Sequence, residues 1–426
     1  MLFHRFSIFL KNWKENSPMN SRERVLTALD HKEPDRVPIH LDFTPEAAEK
    51  LSAHLKLGNS TAEAYTPGKA SDLPLVMGHD LLVAWHGIAT SYYGKASEDT
   101  ASTSSAGDGT LSLPSDRPLS LSKRTLNSSS DRTLSLPKRT LSLSKCDDYT
   151  CEWGIGWRWI DVPHGRYTEM VKRPLSEENR LPSYTCPDPH ESWRYDALRG
   201  LLAEHGSTHA IAGGMPCTLF EAAWYLRGYE EFLTDLMVNK DFAHSLLDKI
   251  YKFQLVTGTT LAGLGVDILW LGDDFGTQNS LIVSPQTWRE FFKPRYASLV
   301  QEFRKINPSV KIAYHSDGNI ETLLPEYIEI GVDILNAVQP KSMDPAHLKR
   351  RFGKNLSFWG TVDIQEVMPN GSPADVEEEI KLRIGTVGPG GGLILAPSHN
   401  IQPDVPLENI LAFYDAAKKY GKYPVG

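Results

Sequence analysis

The chain has 426 residues, 40% of them hydrophobic and 23% charged, the proportions of an ordinary globular protein long enough to bury a large core without staples. Lys and Arg number 45 against 53 Asp and Glu, a formal net charge of −8, which argues against nucleic acid or an anionic membrane as the main partner. No apolar run reaches membrane-spanning length, and four cysteines (Cys146, Cys151, Cys186, Cys217) are too few and scattered for a disulfide framework, so a reducing, cytoplasmic setting is expected.

Residues 1–18 hold a short apolar core between basic residues, without a long h-region or a small-residue cleavage site. They read as a disordered extension, with Met19 as the functional start. From 19 to 426 the chain reads as one domain, interrupted at 97–145 by Ser, Thr, Leu, Lys and Arg in a repeating pattern: SDRPLSLSKRTL returns as SDRTLSLPKRTLSLSK. Such a low-complexity unit cannot build a core and is expected to be a disordered surface insertion. A barrel tolerates it because loop-closure cost grows only logarithmically with length.

Elsewhere, near-continuous apolar runs at 37–43, 80–85, 209–215, 266–272, 310–315, 332–337, 356–360 and 392–397 read as parallel strands buried on both faces. A hairpin-like stretch spans 153–160 and 166–171. Helix starts carry chemical marks. Thr44-Pro45, Ser284-Pro285, Asp344-Pro345 and Ser372-Pro373 each pair an N-cap side chain with proline at the first helical position. Near the end, PLENILAFYDAAKKY keeps Leu407, Ile410, Leu411 and Tyr414 on one helical face. Eight strands alternating with helices predict an α/β fold of the (β/α)8 TIM barrel type, with a doubly wound sheet as runner-up. No GxGxxG follows the first strand, which counts against a dinucleotide site.

Barrel chemistry projects from the C-terminal ends of strands. The residues there are Asp42, Trp85, His86, Met215, Asp273, Asp274, His315, Asp317, Asn336, Trp359, His399 and Asn400. Asp273, Asp274, His315 and His399 are the candidate catalytic groups. Adjacent Asp273 and Asp274 can bind a metal, orient a substrate or act as general base, or one can cap backbone N–H groups while the other works. His315 and Asp317, separated by one residue on an extended segment, point the same way, while Asn319 caps the following helix. Adding His399 from the last strand gives a two-histidine, one-carboxylate set that suits zinc or another divalent metal. Asp42, Trp85, His86, Met215, Asn336, Trp359 and Asn400 are candidate substrate contacts.

Three stretches, SRERVLTALDHKEPDRVPI, HSDGN and LAPSHNIQPDVPLENI, resemble the uroporphyrinogen decarboxylase superfamily over almost the whole chain. The resemblance implies a (β/α)8 barrel and a possible homodimer. True decarboxylases of the superfamily carry an N-terminal Arg-rich motif for substrate carboxylates, and IHLDFTPEAAEKL lacks it. The opening is more similar to the methyltransferase branch, whose members activate a thiol on zinc held by a His-x-Cys pair and a later Cys. The matching positions here are His315, Asp317 and His399, so both thiolates give way to harder donors. The resemblance thus implies a metal-dependent methyltransferase served by a corrinoid protein, with a non-thiol or unknown acceptor. A decarboxylase of a tetrapyrrole or smaller acid is the alternative. A third reading, a catalytically inactive binding barrel, sits poorly with so many polar strand ends.

Overall fold

A computed structural model describes residues 19–57, 72–86, 148–162 and 165–425. The expected extension at 1–18 and the core of the insertion at 97–145 lie outside them. Seven parallel strands form one sheet: β1 (Leu81–Trp85), β5 (Ala210–Pro216), β6 (Ile268–Gly272), β7 (Lys311–His315), β8 (Ile334–Asn336), β9 (Ser357–Trp359) and β10 (Leu393–Ile394). They are hydrogen-bonded in that order. Between β1 and β5, a smaller antiparallel sheet of β2 (Asp148–Thr150), β3 (Gly156–Val162) and β4 (Gly165–Lys172) accounts for the hairpin-like stretch.

The eighth strand, expected at 37–43, survives as isolated pairings, Ile39 with Leu395 and Phe43 with Ile401, both parallel. The cause is chemical: Pro38 has no N–H, and the Ile39 N–H is taken by the Asp80 carboxylate at 3.0 Å. The segment still closes the ring. On one side the Ile39 carbonyl accepts from the Asp80 N–H, and on the other Pro38 and His40 exchange hydrogen bonds with Leu395. The architecture is therefore the expected (β/α)8 barrel.

All four Pro-marked starts open helices, at Pro45–His54, Pro285–Phe291, Pro345–Phe352 and Pro373–Val387, each capped by the preceding Thr44, Ser284, Asp344 or Ser372 side chain. Of the apolar face read at the end, Ile410 and Tyr414 are buried in the helix Leu407–Tyr420 and Leu407 packs against the core, while the buried side turns toward Phe413 rather than Leu411. No helix among the described residues is long and apolar enough to cross a membrane.

Two buried clusters divide the interior. The larger fills the space between sheet and helices. The smaller is the inside of the barrel, where Leu81, Ala210, Ala212, Ile268, Ala313, Ile334 and Ile394 meet Val25 and Leu29 of the helix Ser21–Leu29, which plugs the N-terminal mouth. That plug is fastened by charge. Arg24 bonds Asp35 and Asp80, and Arg36 bonds Asp80 at 2.7 Å, all largely buried. Burial pushes the Asp80 carboxyl up, but Arg36 and Arg24 more than reverse this and hold it below its ordinary range. The arginines of the opening motif thus belong to the base of the barrel, at the opposite end from the strand C-termini.

Candidate active site

The strand C-termini surround a cavity of about 400 Å³. Its floor is the top of the barrel core: Trp85 from β1, Trp270 from β6 and Trp359 from β9 all belong to or pack on the interior cluster. Indoles of this size fit because the strands offer glycine beside them, across the sheet for Trp85 and along the same strand for Trp270. A Cβ on Gly214 would lie 2.3 Å from a ring atom of Trp85, and one on Gly272 would lie 3.0 Å from Trp270 and 2.9 Å from the His315 Cβ.

On this floor the ends of β6 and β7 converge. The Asn336 Oδ1 accepts from Trp270 Nε1 and meets His315 Nδ1, both at 2.8 Å, while its Nδ2 donates to the Trp359 carbonyl at 2.8 Å. An indole N–H only donates, so the Asn336 atom it meets is the oxygen, and His315 Nδ1 must carry the hydrogen. In the neutral ring this leaves His315 Nε2 with the lone pair, 3.7 Å from Asp274 Oδ1 and 3.8 Å from Asp317 Oδ1. One donor atom from each of Asp274, His315 and Asp317 lies within 4.8 Å of the others. These gaps are too long for hydrogen bonds and match two ligands each about 2 Å from a shared ion.

Asp317 Oδ1 is buried with no hydrogen-bond partner among the described residues. Burial raises the Asp317 pKa and Asp274 adds to it, opposed by His315 and His399. An imidazole nitrogen and two carboxylate oxygens, with the histidine aligned from behind by an amide, fit a divalent cation. Glycine again makes the approach possible. Gly318 sits at φ +75, and a Cβ there would lie 2.4 Å from the Gly276 carbonyl carbon, so the loops after β6 and β7 touch backbone to backbone. The Asp317 N–H then donates to Asp274 Oδ1 at 2.8 Å.

Asp273, next along, faces the other way. Its carboxylate accepts the N–H groups of Leu219, Phe220 and Glu221 at 2.8–2.9 Å, together with the Tyr296 hydroxyl. It anchors the start of the helix Phe220–Arg227. Burial pushes its pKa up to about 6, and those four donors restrain it.

A sequence profile of the uroporphyrinogen decarboxylase family matches residues 159–420. The chain belongs to that family. Among relatives, it is 26% identical to a methylated-thiol–coenzyme M methyltransferase of Methanosarcina mazei over 58% of this chain. The alignment covers 60% of that relative's length. A methylcobamide:CoM methyltransferase of Methanosarcina barkeri is 25% identical, covering 59% of this chain and 67% of the other. A uroporphyrinogen decarboxylase of Legionella pneumophila is 24% identical, covering 62% and 73%. The solved structure of a methyltransferase from Methanosarcina mazei superposes with a TM-score of 0.64 at 16% identity, over 94% of this chain and 99% of the other, which establishes a shared fold.

In this family member, six strand-end residues read from the sequence as substrate contacts or catalytic groups line the cavity beside His315: Asp42, Trp85, Asp274, Asn336, Trp359 and Asn400. His399 lines it too, its ring centroid 6.3 Å from that of His315, but it stands outside the three converging donors. Of the expected set His315, Asp317 and His399, the geometry brings His315 and Asp317 together with Asp274, while His399 stays apart from them. Met215, Asp273, His86 and Asp317 do not line the cavity, Asp317 lying behind its edge beside His315 and Asp274. Met215 is fully buried, its strand-end place taken by Pro216 and Cys217. His86 packs on Tyr195 and bonds the Ala84 carbonyl through Nδ1.

The sequence reading missed His40, Trp157, Cys217, Glu221, Tyr225 and Trp270. Trp270 lies inside an apolar run, where it reads as core. His40 sits in the first apolar run and Trp157 on β3, outside the barrel, while Cys217, Glu221 and Tyr225 come from a loop and a helix whose inward face shows no period. Burial raises the Glu221 pKa well above its ordinary value, with Asp274 and Asp273 adding repulsion. Burial likewise keeps Cys217 a thiol, with Glu221 and Asp273 opposing its charge. Asp42 is raised by burial and pulled back by His40, His399 and His315.

Proposed function

We propose that this member of the family is a methyltransferase that holds a divalent metal ion on Asp274, His315 and Asp317. It would exchange a methyl group with a corrinoid carried by a partner protein and use an acceptor other than a thiol. The observation that carries the reading is His315 Nε2, left as an acceptor by Asn336, with the Asp274 and Asp317 carboxylates 3.7 and 3.8 Å away. Such an ion, when bound, supplies a Lewis acid that polarises or deprotonates a coordinated substrate group.

The chain's own residues do the rest. Asn336 holds the His315 ring in one tautomer. The tryptophan floor keeps water from below the site. His399, on the wall one ring away, is placed to hydrogen-bond a substrate bound beside His315. The methyltransferase relatives support this reading, the methylcobamide enzyme in particular. The cavity lining supports it as well: among the described residues it contains no Lys or Arg, whereas a tetrapyrrole polycarboxylate calls for several cations.

Elemental analysis of the purified chain tests it. The expected result is one divalent ion per chain, lost in His315→Ala and Asp317→Ala together with methyl transfer to or from methylcobalamin. Full transfer activity in a metal-free preparation would overturn it.

A further inference from the structure

The methyl-transfer reading leaves the substrate open, and the rest of the cavity lining narrows it. Four tryptophans and a tyrosine line this space: Trp85, Trp157, Trp270, Trp359 and Tyr225. They do not form one flat stack. Trp85 and Trp270 stand at 87° with centroids 5.0 Å apart, and Trp157 and Tyr225 at 89° with centroids 5.9 Å apart. Ring surfaces therefore meet at right angles and enclose a corner, a shape that suits a compact tetrahedral group better than a planar one.

The charge is as one-sided as the shape. Besides the metal-facing Asp274, the lining carries Asp42 and Glu221 and, among the described residues, neither Lys nor Arg. Both carboxylates are half-buried, and His40, 3.6 Å from Asp42, is itself disfavoured as a cation by burial. Carboxylates so placed are costly to ionise, and a cation in the cavity would relieve both while meeting the negative faces of the indoles. A separate polar anchor exists. The hydroxyl of Ser398, a residue 2% exposed, has no partner among the described residues, and Ser398 lines the same cavity.

We infer that the cavity binds a small methylated onium, an ammonium or sulfonium with a polar substituent, as the methyl donor of the transfer proposed above: its C–N or C–S bond breaks, the methyl passes to the Co(I) form of the partner protein's corrinoid, and the neutral amine or sulfide leaves with the bonding pair. The cation sits against the perpendicular aromatic rings, with Glu221 and Asp42 as its counter-charges and Ser398 holding the polar end. The inference rests on the methyltransferase reading for the word donor, but the binding site stands on the lining alone.

Calorimetric titration of the full chain separates the two. Choline and its uncharged isostere 3,3-dimethylbutan-1-ol have nearly the same shape, so their ratio of affinities reports the charge. Choline is expected to bind roughly tenfold more tightly, in the range of a cation–aromatic contact. Tetramethylammonium and trimethylsulfonium then tell the two onium types apart. Glu221→Gln, which keeps shape, and Trp157→Leu, on the small sheet outside the barrel, should each reduce the choline preference several-fold with unchanged circular dichroism. Equal affinity for the isostere, or full preference in both variants, would overturn the inference. Choline binding by a chain that holds no metal would keep the onium site and remove the metal-dependent reading. Metal-dependent methyl transfer from a neutral ether, without any preference for choline, would do the reverse.

Discussion

Asn336 decides which nitrogen of His315 faces the two carboxylates, and it does so with a single oxygen shared between an indole and an imidazole. Asn336→Ala leaves the three donors in place but frees the ring to turn or change tautomer. Groups that orient metal-bound histidines typically contribute 10–100-fold in affinity, so chelator competition should show a loss of that order in the variant. Asp273 should behave oppositely. Removing a buried acceptor that serves three backbone N–H groups and a tyrosine costs on the order of 3 kcal/mol in stability, and Asp273→Ala should show this in urea unfolding while retaining its metal. The sequence presented Asp273 and Asp274 as alternatives for one role, and only the fold separates them. The strand ends at Gly272, just before both, and each carboxylate then answers to a different neighbour: a helix start for Asp273, the β7 loop for Asp274. His315 and Asp317 were legible because both spacing and motif pointed at them. Glu221 and Tyr225 were not, because nothing in a helical stretch of mixed composition marks which side faces a cavity.

At the level of elements, the strands show how small residues position large ones. Gly214 on β5 leaves room for Trp85 on β1, and Gly272 on β6 leaves room beside Trp270 and His315. Gly214→Ala pushes a methyl into the Trp85 ring and is expected to cost about 1–3 kcal/mol. Equilibrium unfolding measures that cost, and a shifted tryptophan fluorescence maximum would report a displaced floor. The glycines were visible in the sequence, but their purpose was not, since it depends on which strands become neighbours. The helix starts were fully legible, because an N-cap followed by proline is a local signal that needs no tertiary partner. The first strand was the harder case. Its apolar run was real, yet Pro38 and the Asp80 carboxylate replaced most of a regular ladder with side-chain and isolated backbone contacts.

For the whole molecule, pH acts through a group that the sequence placed in the site and the fold placed in the packing. Burial lowers the His86 pKa to about 4, with the Ala84 carbonyl opposing and Arg194 assisting. The unfolded chain therefore holds more protons on this residue between about pH 4 and 6.5, and stability falls as pH drops through that window. A shift of that size corresponds to on the order of 3 kcal/mol. Urea midpoints measured from pH 7 to pH 4 should fall more steeply for the native chain than for His86→Phe, which cannot protonate.

The closing contacts of the ring join Pro38, Ile39 and His40 to Leu395, residues from opposite ends of the barrel sequence. During synthesis the early segment waits for its partner on the order of tens of seconds, at usual rates of translation. Until then the 37–43 segment has a neighbour on the β1 side at most, and the interior apolar residues have no closed ring around them. Helix Ser21–Leu29 fares no better, because Gly392, whose N–H bonds the Ala28 carbonyl, is also made late. A nascent chain of this protein is thus an open sheet with two unsatisfied edges for most of its time on the ribosome. That makes it a natural client for whatever shields emerging strands from one another.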